Sequence, residues 1–164
     1  MKTHDLPKRT SPHWQNIDYS ANGTYFITIC TQNREKLFWL GADSFSFVGA
    51  DSIRPQDVPL SPIGSLVEDA ISQTSEHYEH ISVDNYCIMP DHVHILLRIA
   101  PTTSGVSVGL STVIGSLKRW VSRQAGRPIW QKSYFDHVIR GQRDYNEIWQ
   151  YIEENPLKYL STGG

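Results

Sequence analysis

The spacing of hydrophobic and polar residues along the chain predicts four long β-strands. Residues 24–31 are almost all β-branched or aromatic, a composition typical of strands. The pattern returns at residues 81–89, and after a Pro-Asp turn a further strand begins at His92. Residues 134–140 predict the last long strand, and residues 36–40 predict a short additional one.

Two segments between these strands repeat apolar residues at intervals of three and four, as amphipathic helices do. The first helix is predicted from about residue 62 to residue 78, with Ser61 as its N-cap and proline in its first turn. The second is predicted from about residue 108 to residue 125, with Gly126 as its C-terminal cap.

A third helix is predicted near the C-terminal end, where Asp144 followed by Glu147 resembles a capping box. It is predicted to end near Asn155, because Pro156 disfavours helical geometry at the residue before it. The resulting order is strand, helix, strand, strand, helix, strand, helix. This order predicts an α+β protein with a ferredoxin-like split β-α-β fold, in which helices pack on an antiparallel sheet and one extra helix follows.

Length and composition are those of one globular domain. The chain carries 15 Lys and Arg against 17 Asp and Glu, a net charge of -2 that favours no class of partner. No apolar stretch is long enough to cross a bilayer, and no signal-peptide pattern opens the chain. The two cysteines, Cys30 and Cys87, lack metal-ligand spacing, so a cytoplasmic protein with reduced thiols is predicted.

The predicted organisation is a polar, basic arm at 1–22, one domain at 23–160 and a tail at 161–164.

Candidate chemistry begins with the sequence Met-Pro-Asp-His-Val-His-Ile-Leu-Leu at residues 89–97. Side chains alternate faces along a strand, so His92 and His94 point the same way while apolar residues occupy the other face. The apolar backing favours an open face for the histidines. Two neutral imidazoles on a rigid strand can hold a divalent cation, although two ordinary hydrogen-bonded histidines would have the same spacing.

The last predicted helix offers partners for this pair. Tyr151 and Asn155 are four residues apart and therefore share one helix face. The amide oxygen of Asn155 is a hard ligand suited to Mg²⁺ or Mn²⁺, and Tyr151 offers a phenol as a nucleophile. Spacing alone leaves open the alternative that Tyr151 packs in the core while Asn155 caps the helix.

Between Lys118 and Arg143 the chain has seven Lys and Arg against a single acid, Asp136, with aromatic residues interleaved. Cations neutralise phosphates and aromatic rings stack on bases, so this combination is typical of single-stranded nucleic-acid binding. The alternative is a solvated helix face with core aromatics, which suits Trp120 better than Trp130 in its Gly-Arg-Pro-Ile-Trp loop. The predicted DNA-binding residues are Lys118, Arg119, Arg123, Arg127, Trp130, Lys132 and Arg140.

These segments resemble a known family. The histidine strand looks like the HUH motif of the single-tyrosine, insertion-sequence-200-like transposases. Residues 129–140 (Ile-Trp-Gln-Lys-Ser-Tyr-Phe-Asp-His-Val-Ile-Arg) and 151–156 (Tyr-Ile-Glu-Glu-Asn-Pro) are similar to segments of the REP-associated tyrosine transposases within that family. Residues 18–20, 25–34 and 115–119 fit the same family, and the likeness runs in order over residues 19–159.

The resemblance implies a role for each residue of the candidate site. His92 and His94 would bind the divalent metal, Mg²⁺ or Mn²⁺. Asn155 would supply a further ligand, where related transposases often carry Gln; both side chains offer an amide oxygen. Tyr151 would be the nucleophile.

Two other tyrosines compete with Tyr151 for that role. Tyr145 lies ten residues before Asn155, almost three helical turns away. Tyr159 follows Pro156 and is predicted to lie outside the helix. Tyr151 is therefore the favoured nucleophile.

The resemblance further implies a metal-dependent endonuclease and strand transferase that cleaves single-stranded DNA hairpins of the REP type through a 5′-phosphotyrosine. It leaves open a monomer or a homodimer. A non-catalytic nucleic-acid-binding regulator on the same scaffold is the first alternative. A histidine-triad nucleotide hydrolase is the second, but that chemistry needs another histidine where this chain has Leu96.

Overall fold

The computed structural model describes residues 23–41, 54–105 and 108–162. The predicted arm at 1–22 and the last two residues of the predicted tail lie outside this description. Within the described ranges no helix is long and apolar enough to cross a membrane. Cys30 and Cys87 are buried and form no disulfide, in agreement with the prediction.

Four antiparallel strands form one sheet: β1 (Gly23–Cys30), β2 (Ile81–Ile88), β3 (His92–Ile99) and β4 (Phe135–Val138). β3 lies between β2 and β1, and β4 pairs with the other edge of β1. Cys30 pairs with His92, so the end of β1 lies beside the beginning of β3. The four long strands are confirmed with ends shifted by at most two residues. Residues 36–40 form no strand, because Trp39 makes only an isolated bridge to Leu60.

Three helices accompany the sheet: α1 (Pro62–His77), α2 (Leu110–Ala125) and α3 (Gln142–Ser161). Ser61 caps α1, since its side chain accepts a hydrogen bond of 3.0 Å from the Gly64 amide. Gly126 ends α2 in the left-handed conformation, with φ of 73°, as glycine at this position usually does. The first two helices therefore agree with prediction at both ends.

α3 does not end near Asn155 as predicted but continues through Pro156 to Ser161. Proline removes one helical hydrogen bond and crowds the preceding turn. Pro156 is nevertheless buried, and beyond it Tyr159 packs its ring on Trp39 with centroids 5.2 Å apart. Packing of the continued apolar face outweighs the local preference. Tyr159 is consequently inside the helix, contrary to the prediction.

The sheet separates two hydrophobic cores. α1 and α2 cover one face, where they pack against alternate β3 residues such as Val93 and Ile95. α3 covers the other face, where Ile148 and Ile152 pack with Phe26 and other buried residues. The result is a three-layer arrangement of two helices, an antiparallel sheet and one further helix. This confirms the predicted ferredoxin-like fold with an extra C-terminal helix.

Candidate active site

His92 and His94 lie at the beginning of β3, on the sheet face that α3 covers. Their Nε2 atoms are 3.1 Å apart, and the two rings are nearly perpendicular at 74°. Two ligands bound at right angles to one cation, each at about 2.1 Å, are about 3.0 Å apart. The spacing therefore suits a shared divalent cation, although a single N–H···N hydrogen bond would have a similar length.

The hydrogen bonds of the two Nδ1 atoms favour a cation, rather than a hydrogen bond, between the two Nε2 atoms. The Nδ1 atom of His92 lies 2.7 Å from Asp91 Oδ1, and that of His94 lies 2.8 Å from Thr28 Oγ1. A proton on each Nδ1 would satisfy these oxygens and leave two Nε2 lone pairs facing each other. Metal-binding histidines characteristically donate their other N–H to a carboxylate or another oxygen in this way.

The histidine face is not open as predicted, because α3 closes over His94. That residue is only 2% exposed, whereas the His92 side chain at the rim is 16% exposed. Burial lowers the pKa of His94 well below its ordinary value, and the charges of His92 and Arg34 lower it further. His94 is therefore neutral at pH 7, which is the form of imidazole that binds metals.

Tyr151 lies on α3 directly against the histidine pair. Its ring centroid is 5.4 Å from that of His94 and 6.0 Å from that of Phe26. Burial raises the pKa of Tyr151 to about 12, although contact with the Asn155 side chain lowers it. The structure thus brings the predicted phenol and the predicted imidazoles together within one chain.

The buried amide of Asn155 lies beside Tyr151 and has one unsatisfied atom. Its Nδ2 atom is buried and lacks a hydrogen-bond partner among the described residues. Buried amides are almost always hydrogen-bonded, and a half-turn of the amide exchanges its nitrogen for its oxygen. The oxygen would then occupy the unsatisfied position, next to Tyr151, as a ligand would require. No cluster of three His, Cys, Asp or Glu occurs in the described ranges, so a third ligand would have to come from another residue type, such as the amide of Asn155.

Arg34 and Asp91 extend the site beyond the predicted residues. Arg34 Nε donates to Asp91 Oδ2 at 3.0 Å, while the other oxygen of Asp91 bonds to His92. Burial raises the pKa of Asp91. The hydrogen bond and charge of His92, together with the charge of Arg34, outweigh burial and hold this pKa below its ordinary value. The sequence indicates Asp91 only as a turn residue, and Arg34 approaches it only through the pairing of β1 with β3.

The predicted DNA-binding cations do not form one surface. Exposed Arg127 and Lys132 flank the segment that bonds to the end of β1, where the Gln131 amide donates to Cys30 O at 2.9 Å. They therefore lie at the histidine end of the sheet, which is the end where β1 finishes beside His92. Exposed Arg119 and Arg123 lie on α2, in the layer on the other side of the sheet.

Arg140 lies at the opposite end of the sheet. The Ile139 amide donates to Thr24 O, six residues along β1 from Cys30. At about 3.3 Å per residue, this separates Arg140 from the histidine end by roughly 20 Å. Its predicted contact with DNA remains a prediction, at a position remote from the candidate site.

Trp130 was predicted to bind DNA, but the structure gives this role no support, because the side chain is buried. The residue is only 9% exposed and packs on Phe38, with ring centroids 5.3 Å apart. A bridge to Thr31 draws the loop onto the sheet and turns the indole into the core. Trp120 packs against the core as predicted, although it is only half-buried and also lines a cavity of about 400 Å³ between α1 and α2.

Lys118 has a structural role that its predicted DNA contact did not anticipate. Its half-buried ammonium donates to Gln131 O at 2.7 Å, and burial lowers the pKa of Lys118. The side chain thereby ties α2 to the segment that precedes β4. Its ammonium is engaged by protein acceptors, so the predicted DNA contact gains no support.

We expect Lys118→Met to lower the free energy of unfolding by about 1–3 kcal/mol, because the partly buried carbonyl of Gln131 loses a charged donor. Exposed Lys132 provides the matched control, and Lys132→Met should leave stability nearly unchanged. Denaturant unfolding of the two variants gives the comparison. If Lys118→Met instead left stability intact and reduced the salt dependence of DNA binding, Lys118 would be a DNA contact.

Comparison with known proteins identifies a family and several relatives. The model of the family described as IS200-like transposase matches residues 56–155. Two Haemophilus influenzae proteins of strain Rd are similar over most of the chain. An uncharacterized protein is 27% identical, with 91% of this chain and 88% of the relative covered. A protein provisionally named a REP-associated tyrosine transposase is 26% identical, with coverages of 87% and 74%.

A solved structure has the same fold. It is that of a REP-associated tyrosine transposase bound to a REP hairpin, and it superposes with a TM-score of 0.57 at 21% identity. The superposition covers 84% of this chain and 68% of the other. The sequence resemblance to the REP-associated tyrosine transposases is thus confirmed.

Proposed function

This chain belongs to the IS200-like transposase family, and on that premise we propose that it cleaves and rejoins single-stranded DNA through Tyr151. The contact between the Tyr151 and His94 rings carries the proposal, because it sets a nucleophile beside a pair of potential metal ligands. The intact set of Tyr151, His92, His94 and Asn155 favours an enzyme over a non-catalytic regulator on the same scaffold.

The proposed reaction is an exchange of phosphodiester bonds. The Tyr151 hydroxyl oxygen forms a bond to a backbone phosphorus as the bond from that phosphorus to the 3′-oxygen breaks. The phenol gives up its proton and the leaving 3′-oxygen gains one, so the 5′-phosphate remains esterified to Tyr151. Attack by a second 3′-hydroxyl reverses the step and joins a different strand. The bond energy is conserved in the ester, so no nucleotide cofactor is required.

Tyr151 needs assistance in this reaction. Ionising a phenol whose pKa is about 12 costs roughly 7 kcal/mol at pH 7. A divalent cation, when bound by His92, His94 and Asn155, would supply positive charge that reduces this cost and polarises the phosphate. The chain's own part is to orient the phenol between the His94 and Phe26 rings and to limit its exposure to water.

The ligands suit Mn²⁺ at least as well as Mg²⁺. Mg²⁺ favours oxygen ligands and retains its waters, whereas imidazole binds the later divalent metals more readily. A set of two nitrogens and one amide oxygen therefore favours Mn²⁺ when both ions are offered at equal concentration. Both remain compatible with the site.

The proposed substrate is single-stranded DNA that carries a hairpin. The related solved structure holds a REP hairpin, and we extend that class of substrate to this chain. Arg127 and Lys132 at the histidine end of the sheet would supply phosphate contacts close to the site. Since Tyr151 contacts His94 of the same chain, the proposed site is complete in a monomer.

Incubation with end-labelled hairpin oligonucleotides from the surrounding genome tests the proposal. With Mg²⁺ or Mn²⁺ present, we expect a denaturation-resistant protein–DNA conjugate and a released fragment with a free 3′-hydroxyl. Fully paired duplexes of the same sequence provide the control and should give neither product. Tight binding without conjugate or cleavage under any metal condition would support the regulator instead.

The exposed arginines of α2 give a separate prediction about DNA binding. Replacing both Arg119 and Arg123 with Gln should reduce the slope of log affinity against log salt by about 1.4, since each phosphate contact on a single strand contributes about 0.7. Arg54→Gln is the control, because Arg54 is exposed but already paired with Asp57 at 2.9 Å. An unchanged slope would exclude α2 from the DNA interface.

A further inference from the structure

Arg34 lies at the mouth of the histidine site, where three of its nitrogens have defined neighbours. Nε donates to Asp91 at 3.0 Å, Nη1 lies 2.8 Å from Cys30 Sγ, and Nη2 lies 3.5 Å from His92 Nδ1. The Arg34 side chain is 50% exposed, whereas that of Asp91 is 16% exposed. The guanidinium therefore stands between solvent and the carboxylate that orients His92.

The backbone around Arg34 is unusual in a way that fixes this position. Asn33 and Arg34 are both in the left-handed region, each with φ of 56°. Asparagine adopts this conformation fairly readily, but arginine does so rarely. Such conformations persist where surrounding contacts hold them, and they cluster at functional sites. Here the turn directs the guanidinium back over Cys30, at the end of β1 that pairs with His92.

Much of the donor capacity of Arg34 is left for another acceptor. A guanidinium has five N–H groups, of which Asp91 and Cys30 engage two. His92 Nδ1, when it donates to Asp91 at 2.7 Å, cannot also accept from Nη2. Three N–H groups consequently have no strong acceptor among the described residues. They belong to a half-exposed side chain beside the candidate site.

The remaining donors match one chemical group. A guanidinium edge binds two oxygens of a phosphate in a bidentate arrangement, with both charge and geometry satisfied. Arg127, which is paired with Glu35 at 3.4 Å, and Lys132 also lie at this end of the sheet and would contact phosphates beside the site. Arg34 also approaches a candidate metal ligand to within 3.5 Å. A phosphate that approaches the histidine pair would therefore meet the free edge of the Arg34 guanidinium.

We propose that Arg34 binds the DNA backbone phosphate that enters the histidine site, with Asp91 holding its guanidinium in place. The proposal rests on the proposed function, because it takes the histidine pair as the place where DNA is cleaved. Arg34 contributes charge and two hydrogen-bond donors to the phosphate oxygens, which gain negative charge as Tyr151 attacks. It forms no covalent bond and transfers no proton.

The chain offers a closely matched control for this role. Arg98 pairs with Asp84 at 2.6 Å, and the two side chains are 52% and 14% exposed, much as Arg34 and Asp91 are. Arg98 lies on the same strand as His92, six residues further on, which is roughly 20 Å along the sheet. Arg34→Gln and Arg98→Gln each remove one arginine from a similar ion pair, but only Arg34 lies at the site.

Binding of a fluorescent single-stranded hairpin to the full chain in EDTA, over a range of salt concentrations, tests the proposal independently of cleavage. Arg34→Gln should weaken binding about tenfold and reduce the salt slope by about 0.7. Arg98→Gln should change neither. Arg34→Lys should keep the slope but lose part of the affinity, since it retains the charge without the bidentate edge. Thermal unfolding of each variant establishes that it is folded.

Affinity and slope that stay at wild-type values in folded Arg34→Gln would overturn the proposal, even if cleavage fell. That outcome would reduce Arg34 to a residue that orients Asp91 and His92. Equal losses in Arg34→Gln and Arg98→Gln would also overturn it, because they would indicate a general charge effect. If the wild-type chain formed no conjugate with DNA, the proposed function would fail, while the binding comparison would still decide whether Arg34 contacts phosphate.

Discussion

Tyr151→Phe will abolish the covalent protein–DNA conjugate while leaving non-covalent binding of the hairpin nearly unchanged. The substitution removes the single oxygen that forms the bond to phosphorus. The phenyl ring can keep its packing against His94 and Phe26, so the fold and the DNA surface should be preserved. Denaturing gels with labelled DNA measure the conjugate, and fluorescence anisotropy on the same samples measures binding.

Two other tyrosines on α3 provide controls for this result. Tyr145 donates its hydroxyl to Asp84 at 2.8 Å, and Tyr159 packs on Trp39. Tyr145→Phe and Tyr159→Phe should therefore retain the conjugate. The Tyr159 control carries particular weight, because α3 continues through Pro156 and keeps this residue on the helix. A conjugate that survives in Tyr151→Phe, or disappears in Tyr159→Phe, would assign the nucleophile elsewhere.

The second large effect concerns the histidine pair. We expect His92→Ala and His94→Gln each to reduce cleavage by more than about a hundredfold, since each removes a proposed metal ligand from a site with few of them. EDTA should abolish cleavage by the wild-type chain, and Mn²⁺ should restore it at a lower concentration than Mg²⁺ does. Metal titrations of cleavage rate, together with calorimetric titration of Mn²⁺ into each protein, measure both effects.

His137 is the control for removing a histidine. It lies on β4, opposite Phe26, and its Nε2 atom is 2.8 Å from Asp144 Oδ2. His137→Gln should retain both metal binding and cleavage. Because His94 is buried, its variant is informative only if its unfolding transition remains cooperative; the more exposed His92 is the safer substitution. Undiminished, metal-independent cleavage by His92→Ala would refute the ligand assignment.

Local periodicity was sufficient to predict the four long strands and the three helices, but it also predicted a strand at residues 36–40 that does not form. Strand residues such as those of β1 and the capped ends of α1 and α2 carry their signals within a few positions. The end of α3 was not predictable in this way. Pro156 favours termination locally, but burial of Pro156 and packing of Tyr159 on Trp39 are contacts between distant segments. Tertiary packing decided that boundary.

The candidate site was predictable where its residues lie close together in sequence or match a family motif. Alternation along a strand set His92 beside His94, and helical spacing set Tyr151 beside Asn155. Arg34 was not predictable, because its bond to Asp91 joins residues 57 positions apart through strand pairing. Trp130 was predicted to bind DNA for a related reason. Its loop is drawn inward by a bridge to Thr31 that the local sequence does not reveal.

The most direct test of the central claim is mass spectrometry of the proteolysed conjugate formed with a hairpin oligonucleotide and Mn²⁺. We expect one modified peptide from α3, with the 5′-phosphate of the cleaved strand esterified to Tyr151. A nucleotide attached to Tyr145, Tyr159 or a residue outside α3 would contradict it, as would cleaved DNA that carries no attached protein.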